Sequence, residues 1–142
     1  MGCGNHKVGT INLDIDPNVK PDIVGCAEYL PFKENSFDMV YASHILEHTK
    51  KHDQIIQEFL RTTRYRICII VPNFMSRNQH NDQTHIRAFC SLDEVFLKYN
   101  SRIIGHKTWV RSKLKIVRLL FTLLGKVDPF WTDELIIEVK KA

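Results

Sequence analysis

CAEYLPFKENSFDMVYASHILEH, Cys26 to His48, is the stretch whose reading decides the fold. Pro31 to Ser36 is loop punctuation, with proline, charge, asparagine and serine in six residues. Leu30 and Phe32 are the large apolar residues at its start, placed to pack the turn onto a core. Phe37 to Ala42, FDMVYA, reads as a strand, and something helical is expected to begin at Ser43.

Working outward, Ile55, Ile56, Phe59 and Leu60 fall at helical spacing, with Gln54, Gln57, Glu58 and Arg61 on the other side. ICIIV, Ile67 to Val71, is apolar throughout, the pattern of a strand buried on both faces as in parallel sheets. Pro72-Asn73 stops it. Ser91 to Tyr99 opens with an N-cap serine and carries Glu94 three residues on, so a helix is predicted. Ile103 to Val110 and Leu135 to Val139 are two more strand candidates. Upstream, Thr10 to Ile15 alternates as a strand, Asp16-Pro17-Asn18 marks a turn, and Asp22 to Gly25 is a short extended piece. Strands alternating with helices give an α/β architecture.

The chain has 142 residues, 44% of them hydrophobic and 25% charged. That suits one domain, residues 1–142, with a core of its own. A net charge of +4 without a block of like charge neither requires nor excludes nucleic acid. Cys3, Cys26, Cys68 and Cys90 are scattered with no CxxC pair, so no zinc ribbon or redox motif is indicated. There is no secretory leader and no apolar run long enough to span a bilayer, so a cytoplasmic location is expected. His6 stands where N-myristoylation needs Ser or Thr.

Gly2-Cys3-Gly4-Asn5 is a glycine turn, which lets backbone approach a ligand closely. Asp14 follows at the end of a hydrophobic strand, where nucleotide-binding α/β folds place the acid that holds ribose hydroxyls. On these two features alone a solvated turn is the commoner explanation.

The decisive stretch closely resembles the cofactor-binding segment of class I S-adenosylmethionine (SAM) dependent methyltransferases, type 11 branch. Ala27, Glu28, Leu30, Pro31, Phe32, Ser36, Phe37, Asp38, Leu46, Glu47 and His48 all fall on the family pattern, in order and spacing. The resemblance runs from Gly2 to about Phe74, with a weaker echo in Thr84 to Phe89 and Glu134 to Lys141. It implies a Rossmann-like sheet with flanking helices, and SAM as cofactor. Gly2, Cys3 and Gly4 would wrap the methionine part, Asp14 the ribose, and Ala27 the adenine through its N–H. Ala42, Ser43 and His44 would sit beside the sulfonium. Cys26 replaces the acid that accepts from the adenine amino group in the family.

Three further departures stand out. Eight residues separate Gly4 from Leu13, too few for a usual crossover helix. Only Met1 precedes Gly2, so the family's central first strand is expected to be missing and the sheet incomplete at the N-terminus. Self-association, giving a homo-oligomer, is the expected compensation. Thr62 to Arg66 stands where the family turns through Pro-Gly-Gly.

His44-Ile45-Leu46-Glu47-His48 also matches H-x-x-E-H, the inverted zinc-protease motif. A zinc hydrolase ranks below the methyltransferase, because no third ligand is evident and the family pattern already explains these residues. No metal is expected. Ser112 to Leu124, SKLKIVRLLFTLL, reads as an apolar helix ended by Gly125, packed on the sheet, or else covering an apolar acceptor, joining a partner chain or lying on a lipid surface. The expected function is methyl transfer from SAM to an acceptor the sequence does not name, with His44 and His85 as candidate bases. A catalytically silent SAM-fold module is the alternative.

Overall fold

The computed structural model describes residues 1–74, 76–90, 94–99, 101–107 and 134–141. The predicted helix Ser112 to Leu124 lies outside them, as do Ser91 and residues 108–110. The strands are β1 (Leu13–Asp14), β2 (Ile23–Val24), β3 (Phe37–Ser43), β4 (Thr63–Pro72), β5 (Arg102–Lys107) and β6 (Glu134–Lys140). The helices are α1 (His52–Thr62), α2 (Arg77–Asn81) and α3 (Glu94–Lys98).

β3, β4, β6 and β5 form one four-stranded sheet in that order. β3 and β4 run parallel, Val40 facing Ile67 and Ala42 facing Ile69. β6 runs antiparallel to both β4 and β5. The apolar run of β4 explains its place between β3 and β6, since Ile67, Ile69, Ile70 and Val71 are all buried. Helix α1 lays Ile55, Ile56 and Phe59 on this sheet, all at most 1% exposed. Burying three such side chains contributes about 1.5–3 kcal/mol each.

β1 and β2 form a separate parallel pair, Leu13 facing Ile23. Among the described residues no strand joins β1 to β3, so the sheet is open between them. The strand expected over Thr10 to Ile15 shrinks to two residues. The reason is Asn12, whose side chain accepts from the N–H groups of Val8 and Gly9 at 3.1 and 3.0 Å and holds the chain in a loop.

Two other boundaries differ from expectation. No helix begins at Ser43. His44 takes a left-handed conformation, φ 54°, and its N–H donates to the Ile70 carbonyl at 3.0 Å, so sheet pairing continues one residue past β3. A single 3₁₀ turn, Leu46–His48, follows, and α1 starts only at His52. At the far end α1 passes into β4 with no loop between. Thr62 Oγ1 donates to the Glu58 carbonyl (2.9 Å) and Thr63 Oγ1 to the Arg66 carbonyl (3.1 Å), so both buried hydroxyls are satisfied at the junction.

Candidate functional site

The opening between β1 and β3 is a cavity of about 1080 Å³. Its walls are the glycine turn, β1 with Asp14 and Ile15, the Ala27–Glu28 loop, and β3 with Ser43 and His44 beyond it. A pocket for a drug-sized ligand runs to about 300–1,000 Å³, so the space admits a nucleoside-sized cofactor.

The glycine turn is built for close approach. Gly2 has φ 58° and Gly4 φ 47°, the left-handed region that glycine adopts without strain. A Cβ on Gly2 would lie 2.6 Å from Ile45 Cγ1 and 3.1 Å from the Ser43 carbonyl, so glycine is required for the turn to sit against the end of β3. The Met1 amino group donates to the Tyr41 carbonyl at 2.8 Å and ties the turn to the same strand. From the other wall, Asp14 Oδ2 accepts from the Gly4 N–H at 2.8 Å, and Oδ1 from the Asp16 N–H at 3.0 Å. Asp14 thus braces the turn, and each oxygen keeps a lone pair for a hydroxyl donor.

The β1 wall rests on polar contacts. Asn12 Nδ2 donates to the Gly9 carbonyl and to Asp22 Oδ2, both at 2.8 Å, and the Asn12 N–H reaches the same oxygen at 2.8 Å. Lys7 pairs with Asp22 at 2.8 Å. The Lys7 ammonium, with Asn12 second, holds the Asp22 carboxyl down at about 2.

The Leu-Pro-Phe loop is pinned by α1. Leu30 N–H donates to Glu58 Oε2 at 2.8 Å, and Arg61 donates to the Phe32 carbonyl at 2.7 Å and the Leu30 carbonyl at 3.1 Å. Phe32 meets Phe37 edge-on, centroids 4.8 Å apart. Ala27 and Glu28 line the cavity, whereas Cys26 does not. The Cys26 thiol donates to Glu28 Oε2 in a short contact. That bond holds the Glu28 carboxyl below its ordinary range and pushes the Cys26 thiol up. Glu28, on the family pattern, therefore brings an acid to the cavity wall that Cys26 does not reach.

Past β3 the predicted residues part ways. Ser43 and His44 line the cavity, and Ala42 is buried in the core at 1% exposure. His44 sits between two acids, Nδ1 at 2.9 Å from Glu47 Oε1 and Nε2 at 3.4 Å from Glu134 Oε1. Glu134 first, then Glu47, raise its pKa to about 9 against the opposing effect of burial. A cation at neutral pH has no lone pair to accept a proton, so the geometry argues against His44 as a base. His85 is nearly buried and does not line the cavity.

The helix that the zinc motif needs is absent, because His44 is left-handed and only a 3₁₀ turn carries Leu46 to His48. Thr84 to Arg87 folds onto that turn instead. Ile86 N–H donates to the Glu47 carbonyl at 2.9 Å, and Thr84 Oγ1 lies 3.0 Å from His48 Nδ1. These contacts over a long sequence separation were out of reach of motif reading.

The mixed α/β sheet, with β3 and β4 parallel and a cavity running along β3 to its carboxyl end at Ser43, is Rossmann-like. Residues 9–66 match the methyltransferase domain family. A SAM-dependent methyltransferase from Archaeoglobus fulgidus superposes with TM-score 0.64 at 19% identity, over 99% of this chain and 83% of that one. One from Mesorhizobium loti gives 0.55 at 12% identity, over 91% and 78%. A Haloferax volcanii methyltransferase, solved with the Trm112 methyltransferase activator, gives 0.59 at 14% identity, over 92% and 70%. No curated protein sequence matches. Residues 9–66 thus resemble a methyltransferase domain, and the chain shares the fold of solved SAM-dependent methyltransferases.

Proposed function

We propose that the cavity between β1 and β3 holds SAM and delivers its methyl group to an acceptor entering past Ser43, His44 and His48. The observation that carries this is the Gly2–Gly4 turn, which Asp14 clasps from one wall while Ser43 and Ile45 meet it from the other. When bound, SAM supplies a methyl carbon already activated by a sulfonium. The chain's residues then bind, align and exclude water. Gly2, Cys3 and Gly4 cradle the methionine part, Asp14 accepts from the ribose, and the Ala27 N–H and Glu28 carboxylate address the adenine. Cys26 acts through Glu28, and Ala42 acts by packing behind Ser43. His44, paired with Glu47 and Glu134, holds the end of β3 in place beside the opening.

A second copy of the chain is the partner the opening favours. Val8, Ile11, Ile15 and Met39 line the cavity and are 43–71% exposed. Sedimentation across a concentration series should show dimers, and a monomer throughout would reject that partner. Among the described residues no helix is long and apolar enough to cross a membrane. The four free cysteines favour a reducing, cytoplasmic setting.

Calorimetric titration with SAM tests the reading. Binding in the micromolar range supports the enzyme. Failure to bind at millimolar SAM would favour the silent module.

A further inference from the structure

Glu47, His48 and His85 form a cluster that SAM binding does not use. One potential ligand atom from each lies within 4.8 Å of the others. Glu47 is fully buried, and its Oε2 has no hydrogen-bond partner, while Oε1 is taken by His44. His85 Nδ1 is likewise buried without a partner. A bare carboxylate oxygen in the interior is costly, about 1–3 kcal/mol or more for a charged group, unless something positive meets it.

We propose that Glu47, His48 and His85 bind one divalent transition-metal ion of the zinc type at the rim of the cleft. Two imidazoles and one carboxylate are the ligand set of an open zinc site, with a fourth position left for water or another ligand. His48 lines the cavity, so that position faces the space where an acceptor enters.

The surroundings prepare the ligands. His48 Nδ1 lies 3.0 Å from Thr84 Oγ1 and 3.3 Å from the Thr84 carbonyl, which leaves Nε2 for the metal. His85 Nε2 lies 4.0 Å from Glu47 Oε1 and 3.6 Å from Asp82 Oδ2, so this ring faces both carboxylates. Zinc at about 2.0–2.2 Å spaces its ligands roughly 3.3–3.6 Å apart, so the three side chains close by about 1 Å on binding. The third ligand that the H-x-x-E-H motif lacked is supplied by His85, and His44 of that motif is replaced by it.

The test uses the full chain, stripped with a chelator and titrated with cobalt(II), followed by zinc with elemental analysis. The expected result is one equivalent of metal with a tetrahedral cobalt spectrum. Affinity should fall at least about tenfold in both His48→Ala and His85→Ala. It should be unchanged in His80→Ala, an exposed histidine outside the cluster. His48 is exposed, so its alanine variant is expected to fold even if His85→Ala does not, and circular dichroism checks both. No metal uptake at micromolar concentration, or uptake that His48→Ala leaves intact, would overturn the proposal. SAM binding is not part of the readout, so failure here leaves the cofactor reading standing.

Discussion

The β3–β4–β6–β5 sheet buries Val40, Ala42, Ile67, Ile69, Leu135 and Ile137 against neighbours that include α1, all at most 3% exposed. Across the cleft, residues 1–25 bury one large apolar side chain, Leu13, and expose Val8, Ile11, Ile15 and Val24. That wall is held by the Asn12–Asp22–Lys7 network and by the Asp14 clasp on Gly4. One wall is therefore packed and the other hydrogen-bonded. Packing over a continuous core gives a rigid platform. A net hydrogen bond adds only about 0.5–1.5 kcal/mol, so the second wall is the one that can open and reclose locally.

The sharpest way to break this contrast is to cut both walls. Phe59→Ala, under the packed wall, should cost about 3–5 kcal/mol of global stability in urea unfolding. Asn12→Ala should cost less, about 1–3 kcal/mol, because it removes the amide's bonds to the Val8 and Gly9 N–H groups, the Gly9 carbonyl and Asp22. Hydrogen exchange in that variant should rise in residues 7–25 and stay unchanged in β4 and β6. Equal exchange changes in both regions would mean that the walls form one cooperative unit.

His44 gives a smaller, pH-dependent effect at the end of the packed wall. Its pKa is raised from 6.5 to about 9 by Glu134 and Glu47. The stabilisation is therefore fully present below pH 6.5 and lost as pH rises through about 9. About a third of the side chain is exposed, so screening reduces it to on the order of 1–2 kcal/mol. Unfolding midpoints from pH 6 to pH 10 should decline more steeply in the native chain than in His44→Gln. Parallel curves would remove His44 from the account.

The smallest expected effect concerns the adenine loop. Glu28→Ala should weaken SAM binding about three- to tenfold, the loss of one hydrogen bond, and Cys26→Ser should change it less than about twofold. The sequence alone suggests that Cys26→Asp tightens binding. Cys26 lies against Glu28 and does not line the cavity, so a second carboxylate there is expected to repel Glu28 and weaken binding. A gain in affinity from Cys26→Asp would show that position 26 reaches the cofactor after all.

The packed wall was legible because its signals are local. ICIIV announces a buried strand, FDMVYA alternates, and Ile55, Ile56 and Phe59 share a helical face. The polar wall was not, because a hydrogen bond between Asn12 and Asp22 leaves no periodic trace. His44 misled for a related reason. Its helix-like sequence context lost to one more backbone bond in the sheet, at Ile70. His85 and Glu47 meet only because residues 84–87 fold back on the turn. Of the candidate site, the glycine turn, Asp14, Ala27 and Ser43 line the cavity, as does Glu28, whereas Cys26 does not.

The central claim is that Asp14 links the glycine turn to the bound cofactor. Its most direct test is calorimetric SAM affinity in Asp14→Ala and Asp16→Ala side by side. Asp16 caps a neighbouring turn, accepting from the Asn18 N–H at 2.9 Å, and lies two residues from the clasp. Asp14→Ala should lose about 1.5–3 kcal/mol of binding, and Asp16→Ala should stay near the native value. Equal losses in the two variants, or none in Asp14→Ala, would contradict the assignment of the ribose site and the clasp that supports it.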